Sequence, residues 1–236
     1  MTRVRIIGPG RAGTSLHRAL SRAHWPVEPL VRRADDVVAS AEGVDLLVLA
    51  TPDAAIAEVA AAVRPNADVV VAHLSGSVGL AALAGHPRVA VLHPLVALPD
   101  AERGADRLVG AWFGLAATGD PLVEEVVDEL HGRIVRVAEA DWARYHAAAA
   151  IASNHLVALL GQVERVAESI GVPIDAYLDL ARGALDDVVA LGPAAALTGP
   201  VRRGDHATVD RHVQALPDEE RAAYRALAKE AARLCR

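Results

Sequence analysis

Apolar residues in the first 140 positions fall in short runs that are separated by polar turns and by segments with helical spacing. Seven such runs are predicted as strands: residues 4–7, 27–31, 44–50, 68–73, 88–92, 112–118 and 133–137. The run at 44–50 is almost entirely apolar, which is typical of a parallel strand covered on both faces. Strands that alternate with helical patterns predict an α/β fold built on a parallel sheet.

The pattern changes after residue 140. From 141 to about 170 a single helical periodicity continues without proline, which predicts a helix of roughly 30 residues. Three further helices are predicted at 174–191, 205–216 and 218–234, the second of them capped by Asp205. The chain is therefore expected to contain an α/β domain over residues 1–140 and a smaller all-helical domain over residues 141–236.

Charge and composition narrow the range of partners. The 236 residues carry a formal net charge of −6 without a basic block, so nucleic acid and anionic membranes are not expected as partners. The longest apolar stretch includes Ser153 and Asn154 and is too polar for a membrane span. The single cysteine, Cys235, excludes an intrachain disulfide. With no signal-peptide pattern at the start, these features predict a cytoplasmic protein.

The first strand runs directly into three glycines with the spacing Gly-x-Gly-x-x-Gly: Gly8, Gly10 and Gly13. In a strand–turn–helix context these glycines permit a tight turn, close approach of a pyrophosphate, and close packing of helix on strand. The helix N-terminus then presents N–H groups at Arg11 and Ala12 to the phosphates. An ordinary glycine turn is the alternative. The motif predicts a Rossmann-type dinucleotide-binding domain.

The predicted second strand ends in Arg32 and Arg33, about 20 residues past the glycines. An acidic residue at this place accepts a hydrogen bond from the ribose of NAD, whereas arginine suits the additional phosphate of NADP. Asp35 and Asp36 come too late and resemble a helix cap. The sequence therefore favours NADP(H), with a pair of surface arginines as the alternative.

Polar residues follow several of the other predicted strands. Thr51 and Pro52 come after the third strand, and Ser75 and His93 lie at or just beyond the ends of the next two. Carboxyl ends of parallel strands are where ligands bind in open α/β sheets. We expect Thr51, Pro52 and Ser75 to contact the cofactor, although helix capping alone would also explain the threonine turn. His93 is a candidate substrate-binding residue.

Two polar clusters fall in the helical half. On an ideal helix His146 and Ser153 are about 20° apart, and Asn154 lies about 80° from His146, so the three share one broad face. The alternative is a helix interface with satisfied polar groups. The second cluster, which includes Thr198 and Arg203, precedes a helix N-terminus and could hold a carboxylate or phosphate; a capped surface loop is its alternative.

The chain resembles, along its whole length, bacterial proteins that pair an NADP-binding Rossmann domain with a C-terminal helical domain of unassigned function. These are similar to the 6-phosphogluconate-dehydrogenase-like reductases, among them ketopantoate reductase, pyrroline-5-carboxylate reductase and β-hydroxyacid dehydrogenases. The segments that carry the resemblance are residues 8–13, 50–53, 73–76, 92–95, 145–149, 152–154, 196–200 and 203–205.

The resemblance implies an NADP(H)-dependent reductase of a small carbonyl acid, with ketopantoate as the first substrate to test. Several of these reductases use a lysine on the long helix to polarise the carbonyl, with an asparagine further along. This helix has no lysine, and His146 stands where that lysine is expected, with Asn154 about two turns later. Histidine can donate a proton near neutral pH, whereas arginine cannot.

His146 is thus the expected acid, and Ser75 and Asn154 would orient the carbonyl or the nicotinamide amide. Four residues are expected to contact the substrate: His93, Ser153, Thr198 and Arg203. The sequence predicts no metal site.

Two other functions fit the same residues. One is an imine reductase of the pyrroline-5-carboxylate kind, whose substrate arrives protonated and needs no internal acid. The other is a non-catalytic NADP-binding or scaffold protein. In every case a homodimer is expected through the helical domain, because its long helix carries more apolar surface than three short helices can cover.

Overall fold

The structure is a computed structural model that describes residues 2–32 and 35–235. It forms two compact units, Met1–Ser153 and Asn154–Arg236. Within the described ranges, no helix combines the length and the apolar character that crossing a bilayer requires.

The division between the units falls after Ser153, whereas the sequence analysis placed it after Ala140. The difference arises from Trp142 and Tyr145 at the start of the long helix. Trp142 is buried in one cluster with Val137 at the edge of the sheet, and Tyr145 packs against that cluster. The first turns of the helix therefore belong to the sheet unit.

A six-stranded sheet organises the first unit. Its strands, in spatial as well as chain order, are β1 (Val4–Ile7), β2 (Leu46–Leu49), β3 (Val70–His73), β4 (Arg88–Pro94), β5 (Trp112–Ala116) and β6 (Arg133–Val137). Strands β1 to β4 are parallel, β5 pairs antiparallel with β4, and β6 is parallel to β5. The α/β fold with a Rossmann-type, mostly parallel sheet is confirmed, and the last two strands run in the opposite direction to the rest.

The segment predicted as a strand at residues 27–31 is not a regular strand. It makes two isolated parallel bridges to β1, Val4 with Val27 and Ile7 with Val31. The amide of Glu28 donates to the carbonyl of Val4, and the amide of Val31 donates to the carbonyl of Ile6. The segment therefore has one residue more than β1 between the paired positions, and this bulge interrupts the ladder. The segment nevertheless lies beside β1, as the prediction requires.

Helices cover the sheet of the first unit on both sides. They are α1 (Arg11–Arg22), α2 (Ile56–Ala62), α3 (Ala101–Leu108), α4 (Leu122–Glu129) and α5 (Trp142–Ala150). All residues of β2 and β3 are buried, as expected for strands covered on both faces. Helix α3 was not predicted; it is short, and its N-cap Asp100 accepts a hydrogen bond from the amide of Arg103 at 2.8 Å.

The second unit is entirely helical in the part of it that the structure describes. Its helices are α6 (Leu156–Glu168), α7 (Asp175–Leu191), α8 (Pro193–Ala196), α9 (Gly199–Arg202), α10 (His206–Ala215) and α11 (Asp218–Arg233). The predicted cap of α10 is confirmed, because Asp205 accepts from the amide of Thr208 at 3.0 Å. Glu220, which is buried, accepts from Nε of Arg165 at 2.6 Å and links α11 to α6.

The long helix predicted from residue 141 contains a π-helical turn at Ile151–His155, which joins α5 to α6. A π turn bonds each amide to the carbonyl five residues earlier, so the α-helical angle per residue does not hold across it. The angles that placed His146, Ser153 and Asn154 on one face are therefore wrong beyond residue 150. Within this turn, Ser153 Oγ donates to the carbonyl of Ala149 at 2.8 Å.

Candidate functional site

The three glycines in the turn between β1 and α1 differ in the reason that a side chain is absent. Gly8 has a φ of +112°, and a Cβ there would lie 2.5 Å from the carbonyl oxygen of Ala50. A Cβ on Gly13 would collide with the backbone of Gly8. At Gly10, in contrast, a Cβ would meet nothing closer than the Ala50 oxygen at 4.0 Å. Gly8 and Gly13 are needed for the fold, whereas Gly10 keeps open a surface beside the helix N-terminus.

That surface suits an anion. Gly10 is the N-cap of α1 and has no side chain to satisfy the amides of the first turn, which in any helix lack intrahelical acceptors. The first turn of α1 carries no acidic residue, and Arg11 is exposed. The amides of Arg11 and Ala12 together with the positive end of the helix dipole form a place where a phosphate fits.

Thr51 and Pro52 lie next to this turn, as predicted. A Cβ on Gly8 would approach the amide nitrogen of Thr51 to 3.0 Å. The hydroxyl oxygen of Thr51 is buried and makes no hydrogen bond within the described residues. Neither Thr51 nor Asp53 caps the following helical segment through its side chain, so the capping alternative is wrong.

Arg32 also lies near the glycine turn. The amide of Gly8 donates to the carbonyl of Val31 at 3.0 Å, which places the next residue, Arg32, beside the turn. The Arg32 side chain is exposed, and its amide donates to Asp35 at 2.5 Å. Arg33 lies outside the described residues.

Ser75 has its hydroxyl engaged in the loop after β3. The hydroxyl oxygen accepts from the amides of Ser77 and Val78 at 3.1 and 3.2 Å, and lies 3.2 Å from the hydroxyl oxygen of Ser77. Ser77 donates its hydroxyl to the carboxylate of Asp53, so Ser75 is the donor in the contact between the two serines. The hydroxyl proposed from sequence as a ligand contact thus stabilises the loop and ties it to the segment after β2.

His73 supports the same loop from within the core. Its ring is buried, and its Nδ1 accepts from the amide of Ser75 at 3.2 Å. The ring proton is therefore on Nε2, which donates to the carbonyl of Gly79 at 3.3 Å. Burial lowers the pKa of His73, so the ring is neutral and structural.

His93 is held on β4 by Tyr145 of α5. Its Nδ1 lies 2.8 Å from the phenol oxygen of Tyr145, and the two rings are nearly perpendicular with centroids 5.5 Å apart. The phenol fits because Gly114, which pairs with His93 across β4 and β5, has no Cβ; one there would lie 2.5 Å from the Tyr145 ring carbon Cζ. Burial, with a smaller contribution from the neighbouring His146, lowers the pKa of His93 to about 4. His93 is neutral at pH 7, so it can bind a carboxylate only as a hydrogen-bond donor.

His146 lies beside His93. The ring centroids are 5.7 Å apart at an interplanar angle of 73°. Both rings face Gly76: a Cβ on Gly76 would collide with Nδ1 of His146 and lie 2.6 Å from Nε2 of His93. Nδ1 of His146 is buried and has no hydrogen-bond partner within the described residues. The structure thus brings together the expected acid and one expected substrate-binding residue.

The other expected site residues are distributed over both units. Ser153 ends the first unit, and Asn154, Thr198 and Arg203 belong to the second. Thr198, at the N-cap position of α9, and Arg203 are exposed.

Three site residues were missed by the sequence analysis: Tyr145, Gly76 and Asp53 in its contact with Ser77. Tyr145 directly precedes His146, and Gly76 lies between Ser75 and Ser77. Two signals could have identified them: adjacency to proposed site residues, and membership of the segments 50–53, 73–76 and 145–149 that carry the family resemblance.

The sheet, the glycine turn and the helical second unit define a Rossmann-like fold with an appended helical region. Residues 113–231 match the profile of a domain of unknown function, DUF2520, and the chain belongs to this family. Among curated proteins no match is found.

Solved structures share the fold across nearly their whole length. A candidate NADP oxidoreductase from Bacteroides fragilis is 20% identical with a TM-score of 0.80, and the match covers 98% of each chain. A reductive aminase from Aspergillus terreus, in complex with NADPH and ethyl levulinate, is 17% identical with a TM-score of 0.72 over 99% of this chain and 94% of that one. A pyrroline carboxylate reductase from Plasmodium falciparum with NADP bound is 12% identical with a TM-score of 0.63 over 100% and 98%.

Proposed function

We propose that this protein is an NADP(H)-dependent oxidoreductase that reduces a small carbonyl acid. The observation that carries the proposal is the open surface at Gly10, beside the N-terminus of α1 and within a turn otherwise closed by Gly8 and Gly13. The solved structures that share the fold support it, since several of them hold NADPH or NADP.

The residues present fit the cofactor. The amides of Arg11 and Ala12 would hold the pyrophosphate at Gly10, and Thr51 and Pro52 would border it from the end of β2. Arg32 would bind the 2′-phosphate together with Arg33. When bound, NADPH supplies the hydride for the reduction.

The protein would supply the proton and the orientation. His146 would donate a proton to the substrate oxygen, because imidazole is the side chain most often used for general acid–base catalysis. His93, neutral and beside His146, would donate a hydrogen bond to a carboxylate or carbonyl oxygen of the substrate. Asn154, Ser153, Thr198 and Arg203 remain candidates for further substrate contacts, and Ser75 for maintaining the loop that carries Gly76.

Ketopantoate, a 2-oxo acid, is the first substrate to test. A second candidate function is imine reduction of the pyrroline-5-carboxylate type. It is favoured by the proteins that share this fold, since a reductive aminase and a pyrroline carboxylate reductase are among them. The helical segment that carries His146 also has no lysine. A non-catalytic NADP-binding role is the third.

The test is NADPH oxidation, followed by absorbance, with ketopantoate and with pyrroline-5-carboxylate in parallel, after fluorescence titration has shown cofactor binding. Turnover of ketopantoate supports the first function, and turnover of pyrroline-5-carboxylate alone supports the second. Tight NADPH binding without turnover across a panel of small oxo acids and cyclic imines would favour the non-catalytic role.

Cofactor preference gives a separate prediction. NADPH is expected to bind roughly tenfold or more tightly than NADH, because charge-assisted hydrogen bonds from arginine to a phosphate contribute about 1.5–3 kcal/mol. The variants Arg32→Ala and Arg33→Ala are expected to weaken NADPH binding and leave NADH binding nearly unchanged. Fluorescence titration measures both, and Arg202→Ala in the second unit is the matched control. Equal affinities of the wild type for the two cofactors would contradict the assignment.

We also propose that the second unit forms a homodimer. Helix α7 has no buried residue, and apolar side chains on it and on α6 are exposed, among them Val189 at 87%, Leu180 at 70% and Val157 at 70%. Exposed apolar surface of this kind marks an interaction site, and a second copy would cover it. Sedimentation is expected to give a dimer at micromolar concentration, and Leu180→Glu with Val189→Glu a monomer. A wild-type monomer under these conditions would rule out the dimer.

A further inference from the structure

The phenol of Tyr145 has His93 as its hydrogen-bond partner within the described residues. Its oxygen lies 2.8 Å from Nδ1 of His93. Burial raises the pKa of Tyr145 to about 12, so the phenol keeps its proton at pH 7. That proton needs an acceptor, and Nδ1 of His93 is the nearest one.

The other tautomer of His93, with its proton on Nδ1, would leave a hydrogen-bond donor without an acceptor. If His93 carried its proton on Nδ1, the phenol oxygen would accept from His93, and its own O–H would have no acceptor within the described residues. Because His93 is neutral and has one proton, donation from Tyr145 to Nδ1 leaves that proton on Nε2.

The Nε2 proton of His93 lies on the side of the ring that faces Gly76. A Cβ on Gly76 would lie 2.6 Å from Nε2 of His93, so the N–H of His93 is directed toward the space that the missing Cβ leaves. In that space it can donate to an oxygen of the substrate.

We infer that Tyr145 is a positioning residue that fixes His93 as the Nε2–H tautomer, so that the N–H of His93 faces the space beside Gly76. Tyr145 thereby makes Nε2 of His93 a hydrogen-bond donor to the substrate. That donation rests on the proposed function, whereas the tautomer of His93 is a property of the protein without cofactor or substrate.

The test is nitrogen-15 NMR of the full chain with labelled histidine, without cofactor, at pH 7. The variants His93→Gln and His146→Gln assign the signals. In the wild type the His93 ring is expected to show a protonated Nε2 and an unprotonated Nδ1. Tyr145→Phe removes only the donor oxygen, and His93 is expected to change from one tautomer to a mixture of both.

A matched control lies in the second unit. Tyr224 contacts Nδ1 of His212 through its hydroxyl oxygen at 2.7 Å, so Tyr224→Phe removes the same kind of hydrogen bond elsewhere. It should alter the signals of His212 and leave those of His93 unchanged. A wild-type His93 with its proton on Nδ1, or a His93 tautomer that is the same in Tyr145→Phe, would overturn the inference.

The kinetic consequence is measured separately. With a substrate that the wild type reduces, Tyr145→Phe is expected to lower kcat/KM about tenfold while the Kd for NADPH changes less than about twofold. An unchanged kcat/KM would overturn the link to the substrate through His93. Absence of turnover in the wild type would instead count against the proposed function and leave the NMR result valid, so the two failures are distinguishable.

Discussion

Gly10→Ala is expected to raise the Kd for NADPH on the order of 100-fold, or about 2.7 kcal/mol, while the protein remains folded. The new methyl group would meet nothing closer than the carbonyl oxygen of Ala50 at 4.0 Å, so packing is undisturbed. It would project into the surface where the pyrophosphate approaches the amides of α1. Fluorescence titration gives the Kd, and urea unfolding gives the free energy of unfolding, which should fall by less than about 1 kcal/mol.

Gly13→Ala is the matched comparison. Its methyl group would collide with the backbone of Gly8, so the expected result is a loss of stability of about 1–3 kcal/mol in addition to weaker binding. Comparing the two variants distinguishes Gly10, which is required for cofactor binding, from Gly13, which is required for stability. Wild-type affinity in Gly10→Ala would show that the cofactor binds elsewhere.

His146→Gln is expected to lower kcat for a 2-oxo acid by about 10² to 10⁴, with the Kd for NADPH changed less than twofold. Glutamine keeps a hydrogen-bonding side chain of similar length but cannot transfer a proton near neutral pH. Steady-state kinetics give kcat, and His212→Gln, an exposed histidine of the second unit, is the control.

The same variant distinguishes the two chemistries. An imine substrate that arrives protonated already carries its proton, so its reduction should depend much less on His146. A large loss with ketopantoate would support His146 as the acid. A small loss with pyrroline-5-carboxylate, for an enzyme that turns over only this substrate, would support the imine reductase. An unchanged kcat with ketopantoate would exclude His146 as its proton donor.

The fold could be predicted where the signals are local. The glycine turn is encoded within ten residues, and the buried runs at β2 and β3 identify strands covered on both faces. The direction of a strand cannot be predicted in this way, because a hydrophobic run indicates that a strand is buried and not which way it runs in the sheet. The reversal of β5 relative to β4 was therefore not predictable from residues 112–118. At residues 27–31 the apolar pattern was correct about position, but an extra residue between the two bridges to β1 interrupts the strand.

The site was less predictable than the fold. His93 and His146 could each be selected from their own surroundings, but their contact depends on how α5 packs against the edge of the sheet. The same packing, through Trp142 and Val137, places the unit boundary at Ser153 and not at residue 140. The apolar periodicity does not indicate the π turn at Ile151–His155. The α-helical angle per residue does not apply across this turn, so residues on its two sides cannot be assigned to one face from that angle.

Gly76 and Gly114 have a consequence for reading other sequences of this family. Neither glycine has a positive φ, so the backbone conformation alone would allow alanine at both positions. The space that their missing methyl groups leave is occupied by the rings of His93, His146 and Tyr145. A relative that retained all three rings but carried a larger residue at either glycine could not assemble them in this way. The two absent side chains are therefore a stricter criterion for shared chemistry than the histidines themselves.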